Sequence, residues 1–357
     1  MRFIPSFCLK PGMIVGKDLY GFGNELMLAK GTALSPIEIN RIRFLKYQGV
    51  YVADKDSEDL EPDTAISIHL RSKAVKTLKT LFKQIEYDRD YFSKKDILNG
   101  AMHITNEIVQ EITSNRNVSV NMTDLKEFDD YTYYHSVNVS VISVILGYGI
   151  GLNKRELYQL GLGTLLHDIG KVFVPKEILS KPGALTADEF EQVKAHSLKG
   201  SEYLKEQWDI PVESNITVLT HHEKFDGSGY PNQLSGDKIP EFGRIAAVAD
   251  VYDALTSDRP YRRRLLPSEG MEYVMGGSGS LFDPEVVSSF AKRIVPYPVG
   301  TTVQLSNGLQ AVVVENHPGC SIRPRVQIIC DSEIPIYYDL YNDMQYLNIT
   351  ITKIVDI

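Results

Sequence analysis

Cysteine is scarce: Cys8, Cys320 and Cys330 are the only three in 357 residues. They form neither a CxxC pair nor an even set, which argues against a disulfide framework and makes a reducing cytoplasm the simplest home. Long apolar runs are also missing. No stretch approaches the ~20 uninterrupted apolar residues of a membrane span, and the most apolar segment, 137–152, is broken by Asn138, Ser140, Ser143 and three glycines. Met1 to Lys10 has neither a basic leader nor a continuous apolar run, so a signal peptide is not expected. Positive charge is in deficit, with 38 basic against 46 acidic residues and a net charge of −8. A general electrostatic field for long nucleic acid is therefore excluded. If the chain handles phosphates, the positive charge must be local, from a metal or a small Arg/Lys cluster.

What remains is an ordinary globular composition, 43% hydrophobic and 24% charged, in a chain long enough for two or three structural units. Residues 1–60 read as a small α+β unit. Short apolar runs alternate with Pro11-Gly12, Gly21, Gly23 and Gly31, and Ser35-Pro36-Ile37-Glu38 carries a capping box with proline at the first helical position. The spacing predicts a helix from there to about Gly49 and a returning strand at Val50-Tyr51-Val52. Glu58 to Asp63 reads as a linker. Residues 61–120 form a helical connector in which Leu78, Leu81, Phe82 and Ile85 share a face. Helical patterns dominate 121–295. From 296 to 357 the pattern changes to β-prone runs at 303–305, 311–314, 326–329 and 347–351, with turns at Asn307-Gly308 and Pro318-Gly319. The fold class expected is mainly α, with a small β module at the C-terminal end.

Five of eight histidines lie between positions 135 and 222. His167-Asp168 is followed by Lys171. Adjacent helical residues differ by ~100° in direction, so the pair can approach a metal centre from two angles, and a carboxylate can bridge two cations where an imidazole serves one. A helix-end His–Asp hydrogen bond with a surface lysine is the plain alternative. His221-His222-Glu223 follows an apolar run, and two adjacent rings are costly to bury unless both find partners. His196 sits in a helix announced by Thr186-Ala187-Asp188-Glu189; alone it reads as a hydrogen-bonded core histidine. His135 precedes a stripe that fits either helix or strand. Asp250 and Asp253 share a helical face after a run of small residues, with N-capping or solvent exposure as the alternative. Together these groups suit iron or manganese better than calcium or magnesium. A four-ligand structural zinc site, which commonly uses cysteine, fits them poorly.

His167-Asp168-Ile169-Gly170-Lys171 and His221-His222-Glu223-Lys224-Phe225-Asp226-Gly227-Ser228-Gly229-Tyr230-Pro231 closely resemble the HD-GYP phosphodiesterases, a branch of the HD hydrolase superfamily. Tyr133-Tyr134-His135-Ser136-Val137-Asn138-Val139 resembles the family's first metal-ligand helix. The segment from Arg244 to Arg262 resembles its late metal and substrate segment. The match covers roughly residues 121–295. It implies an all-α catalytic domain, a site for two or three iron or manganese ions, and hydrolysis of cyclic di-GMP to linear pGpG, sometimes onward to GMP. By matching position it implies His135, His167, Asp168, His196, His221, His222 and Asp250 as metal ligands. Asp168 and Lys171 would be catalytic, and Lys171, Tyr230, Arg259 and Arg262 would bind substrate.

One departure is informative. Members with a third iron carry a glutamate four residues before the first histidine, where this chain has Tyr131, a poor ligand for a hard cation. Two metals and pGpG as main product are therefore expected. The alternative is a catalytically idle receptor for the same nucleotide, although idle members commonly lack the His-Asp pair or the GYP tripeptide, and both are intact here. The flanking units are candidate sensing or interaction elements, with a homodimer or a regulatory protein as partner classes; simple packing against the core is the plain reading of both.

Overall fold

The computed structural model describes residues 1–20, 25–45, 47, 49–53, 65–87, 91–114, 120–121, 131–206, 209–257, 265–317, 319–330 and 334–355. The expected linker at Glu58 to Asp63 lies outside these residues.

The N-terminal unit consists of β1 (Arg2–Pro5), β2 (Ile14–Val15), β3 (Leu19–Tyr20), β4 (Leu26–Leu28), α1 (Pro36–Phe44) and β5 (Gly49–Ala53). Its main sheet is antiparallel with order β1-β5-β2. Ile4, Val15, Ile39, Ile42, Val50 and Val52 form its core. The capping box at Ser35 is made in full: Ser35 Oγ accepts from the Glu38 amide (3.3 Å) and the Glu38 carboxylate accepts from the Ser35 amide (2.6 Å). Helix α1 stops at Phe44, earlier than the expected Gly49, because Leu45 caps it and Gly49 already belongs to the returning strand.

Helices α2 (Ile68–Tyr87) and α3 (Tyr91–Ser114) form a hairpin, and the stripe Leu78, Leu81, Phe82 and Ile85 is buried as its spacing requires. Then come β6 (Val120–Asn121), α4 (Tyr131–Ile150), α5 (Lys154–Leu165), α6 (Lys176–Leu179), α7 (Ala187–Lys205), α8 (Val212–Thr220), α9 (Glu241–Thr256), α10 (Pro267–Gly276), α11 (Pro284–Arg293) and β7 (Ile294–Val295). The stripe after His135 is thus a helix. From His135 to Leu146 every residue of α4 is buried, the pattern of a central helix covered on all sides. It packs against α2, α5, α9 and α11. Its serines are small enough for that position, and Ser140 Oγ donates to the Gly161 carbonyl at 2.8 Å. Strand β6 pairs in parallel with β7, so the chain enters and leaves the α4–α11 bundle side by side.

The C-terminal module is an antiparallel sheet of β8 (Thr302–Leu305), β9 (Gln310–Glu315), β10 (Arg325–Ile328), β11 (Tyr337–Asp339) and β12 (Ile351–Ile354), in the order β11-β10-β9-β8-β12. The turn at Asn307-Gly308 joins β8 to β9, with Gly308 at φ +86°. The run expected as a strand at 347–351 meets β12 only at Ile351, its last residue, and β11 has no counterpart among the expected runs. The reason is Arg323. Its guanidinium donates to the carbonyls of Leu340 (2.6 Å), Tyr346 (3.2 Å), Leu347 (2.8 Å) and Ile349 (3.2 Å), acceptors that a strand ladder would otherwise use. Among the described residues no helix is long and apolar enough to cross a membrane.

One charged side chain thus holds the segment between β11 and β12. Arg323→Met should destabilise the module by about 3 kcal/mol, since charge-assisted hydrogen bonds carry roughly 1.5–3 kcal/mol each and the carbonyls lose their partner. Hydrogen exchange over 337–354 reads this directly, and protection equal to the parent chain would contradict it.

Candidate metal centre

Four helix-associated segments and the turn after α5 converge on one buried nest. His135 sits in the first turns of α4. Helix α5 ends at Leu165, and His167 and Asp168 occupy the turn between it and the 3-10 segment Ile169–Phe173. The pair therefore lies at a helix end, where backbone direction changes, and not within a regular helix. His196 is in α7, whose Thr186 capping box is made in full. His221 caps the C-terminus of α8, with His222 next in the chain. Asp250 and Asp253 lie in α9 and are both buried, which excludes the capping and solvent-exposed alternatives. A close backbone approach sets the spacing: a Cβ at Gly170 would lie 1.9 Å from the His196 carbonyl oxygen and 2.6 Å from the Gly200 nitrogen. Only glycine lets the 3-10 segment reach α7 so closely.

Three histidines share one local device. His167 Nδ1 donates to the Thr164 carbonyl (2.7 Å), His196 Nδ1 to Val193 (2.6 Å) and His221 Nδ1 to Val218 (2.8 Å), each three residues back along the chain. A carbonyl only accepts, so each Nδ1 carries the proton and each Nε2 presents a lone pair. His135 Nδ1 donates to Asp253 Oδ2 at 2.7 Å, which turns its Nε2 toward the nest as well. The other sides of these rings then face one another. His196 Nε2 stands 3.3 Å from His221 Nε2. His167 Nε2 is buried without any hydrogen-bond partner.

The carboxylates complete the arrangement. Asp168 Oδ2 lies 3.3 Å from His167 Nε2 and 3.8 Å from His135 Nε2, while Oδ1 lies 3.4 Å from His196 Nε2. Asp250 Oδ1 is 3.1 Å from His135 Nε2, and Oδ2 is 3.6 Å from His222 Nδ1. Lys171 Nζ reaches Asp168 Oδ2 at 2.6 Å from a partly open position, 30% exposed. His135, His167 and Asp250 form one potential metal group, His196, His221 and His222 another, and His167, Asp168 and His221 a third between them.

The donor set fits divalent metal. With metal–nitrogen bonds near ~2.1 Å, ligands on one ion stand roughly 3 to 3.4 Å apart, the range of most separations above. Facing lone pairs and an orphaned imidazole nitrogen are costly unless a cation lies between them. The protonation preferences agree. Burial pushes His221 well below the usual imidazole range, and neighbouring imidazoles add to it. Burial likewise lowers His196, and it takes His222 down to about 3 against the pull of Asp250. Burial opposes ionisation of Asp168 and Asp250, but His167 and Lys171 beside the first, and His135 beside the second, hold both well below the carboxylate range. His135 is the exception: burial favours its neutral form, yet the hydrogen bonds to Asp250 and Asp253 raise it to about 9.

Around the mouth, Tyr230 lays its ring over His222, with centroids 4.7 Å apart, and Lys194 Nζ lies 5.6 Å from the Tyr230 ring centroid. Glu223 proves to be a loop anchor: its buried carboxylate accepts from the amides of Asn232 (2.7 Å) and Leu234 (3.0 Å). Gly229 is required there, because a Cβ would lie 2.3 Å from the Lys224 nitrogen. Arg259 and Arg262 lie outside the described residues, as do the neighbouring Arg263 and Arg264. Tyr131 begins α4, and its side chain is likewise outside. Sequence reasoning missed Asp253 as the partner of His135; its three-residue spacing from Asp250 was the available signal.

Comparison with known proteins bears on the family and the fold. Residues 118–286 match the family model of an HD domain, and residues 302–357 that of a KOW domain associated with HD domains. A Pseudomonas aeruginosa protein named as a cyclic di-GMP phosphodiesterase is 38% identical over 238 residues, covering 66% of this chain and 57% of that protein. A Thermotoga maritima protein of the same name is 38% identical over 170 residues, 47% of this chain and 46% of that one. The chain thus spans about half the length of these curated relatives. Among solved structures, Bd1817, an HDG"Y"P protein from Bdellovibrio bacteriovorus, matches with a TM-score of 0.53 at 15% identity, covering 80% of this chain and 97% of that one, a likeness of fold.

Metal and proton compete for the same nitrogen on His135. A raised value means that its ring holds a proton at pH 7 and loses it only as pH climbs through about 9. Loading Mn²⁺ at pH 7 should therefore release protons, and affinity should rise with pH up to about 9. Calorimetry in two buffers of different ionisation enthalpy measures the release; identical heats in both would refute it.

Proposed function

We propose, for a chain that belongs to the HD domain family in its HD-GYP branch, a metal-dependent phosphodiesterase acting on cyclic di-GMP. The observation that carries the reading is the two-sided nest, in which Asp168 turns one oxygen toward His196 and the other toward His135 and His167. A carboxylate so placed suits a binuclear centre. His135, His167 and Asp250 would hold one ion, His196, His221 and His222 the other, and Asp168 would bridge. Iron and manganese match this nitrogen-rich set. Two such ions supply Lewis acidity and lower the pKa of the attacking water.

The chain's own groups provide the rest. Lys171 brings a cation to the mouth, beside Asp168, where a phosphoryl oxygen gathers negative charge. An acidic protein needs such local charge to receive a phosphodiester. Tyr230 walls the pocket with its ring, and burial pushes its hydroxyl well above the phenol range, so it stays neutral beside the substrate. By the resemblance of their segment, Arg259 would join Lys171 in neutralising the phosphoryl oxygens and Arg262 would anchor the second phosphate. With Tyr131 in place of a third-metal glutamate, the reaction stops chiefly at linear pGpG. We assign the protein to the cytoplasm, where such a nucleotide is met.

Anaerobic purification with metal quantification and product analysis tests the whole reading. Two ions per chain, cleavage of cyclic di-GMP and accumulation of pGpG are expected. His167→Ala combined with Asp168→Ala should lower turnover by at least a thousandfold, roughly 4 kcal/mol of barrier, and strip the metal. Near-parental activity in that variant, or three tightly held ions in the parent, would rule out the corresponding part.

A further inference from the structure

Arg71 stands one turn inside α2, outside the 118–286 stretch that matches the HD domain, yet only 8% of it is exposed. Its Nη1 donates to Asn138 Oδ1 at 2.8 Å. Asn138 Nδ2 donates to Asp253 Oδ1 at 2.9 Å. Asp253 Oδ2 accepts from His135 Nδ1 at 2.7 Å and from Ser257 Oγ at 3.3 Å. Asn138, Asp253 and His135 are all buried. No water is needed to link them.

The chemistry of these groups fixes the direction of the chain. A guanidinium has donors only, so it selects the amide oxygen of Asn138 and turns the amide nitrogen toward Asp253. A carboxylate only accepts, so it selects the protonated Nδ1 of His135 and leaves Nε2 aimed at the nest. Were Arg71 absent, the amide could rotate by half a turn and present an oxygen to the Asp253 carboxylate, two acceptors face to face in a buried site. Asp253 would then lose its donor on Oδ1, and the carboxylate that sets the His135 ring would be held less firmly. Helix α2 also packs against α4 and against the 3-10 segment that comes after Asp168, so it borders the helix that carries His135 and the segment that directly follows the His167-Asp168 pair.

We propose that Arg71 is a positioning residue for the metal centre, acting through Asn138 and Asp253 on His135. A helix outside the HD domain thereby completes that domain's site, and any displacement of α2 is transmitted to one imidazole. This rests on the metal-centre reading above.

The test uses the full chain loaded with Mn²⁺ and a competing chelator. Arg71→Met should weaken Mn²⁺ retention by about 10- to 100-fold, the usual effect of removing a group that orients a ligand. Arg71→Lys, which keeps a donor, should restore part of it. Asn138→Asp keeps the acceptor for Arg71 but removes the donor to Asp253, and should lose retention in the same way, so the test survives if one variant fails to fold. Val75→Ala loosens the same helix at a buried apolar position one turn beyond Arg71 that makes no hydrogen bond in the relay and should retain Mn²⁺ within about twofold, a margin well below the effect of an orienting group. Parental retention in Arg71→Met and Asn138→Asp, or an equal loss in Val75→Ala, overturns the relay while leaving the metal centre standing. A parent chain that holds no Mn²⁺ overturns both.

Discussion

The site depends on where four imidazole protons are held. Three Nδ1 hydrogens are committed to carbonyls three residues back, and the fourth to Asp253. Once those bonds are made, each ring can offer a metal only its Nε2, and the backbone that carries the ring fixes its direction. Two of the acceptors, Thr164 and Val218, lie in the last turns of α5 and α8, where carbonyls lack helical partners. Helix termination and ligand orientation are thus served by the same hydrogen bond.

Such an arrangement is unfavourable without cations. Asp168 and Asp250 are ionised in surroundings that exclude water, and stripping a carboxylate of solvent costs several kcal/mol even after relaxation. Lys171 and His135 offset part of that. Imidazole lone pairs turned toward each other at 3.3 Å offset nothing. The apolar core, above all the covered stretch of α4 from His135 to Leu146, supplies the stability that keeps this nest assembled. The small residues of α9 and the glycine contact between Gly170 and Gly200 allow the backbones to approach far enough for the donors to meet.

Much of this is legible in the residues alone. The His-Asp pair and the double histidine mark four of the residues that meet in the nest, and the capping boxes at Ser35 and Thr186 set two helix starts at the expected positions. The stripe after His135 fits helix and strand equally, because a segment buried on every side loses the amphipathic contrast on which periodicity relies. Asp253 is visible as a carboxylate but not as a partner, since three-residue spacing fits a cap or an exposed face equally well. Arg71 and Arg323 are beyond reach for a different reason. Each acts on groups whose nearness exists only after folding: Asn138 is 67 positions away from the first, and the second gathers four carbonyls from a segment with β-prone composition.

The parallel pairing of Val120–Asn121 with Ile294–Val295 joins the two ends of the α4–α11 bundle. Adjacent strands lie about 4.8 Å apart, so the polypeptide departs from nearly the spot at which it arrived. A bundle closed in this way can be threaded into, or lifted out of, a longer protein without stretching its surroundings. Evolution can treat it as a cartridge whose neighbours can change, so long as the α2 contact that reaches His135 through Arg71 and Asn138 is kept.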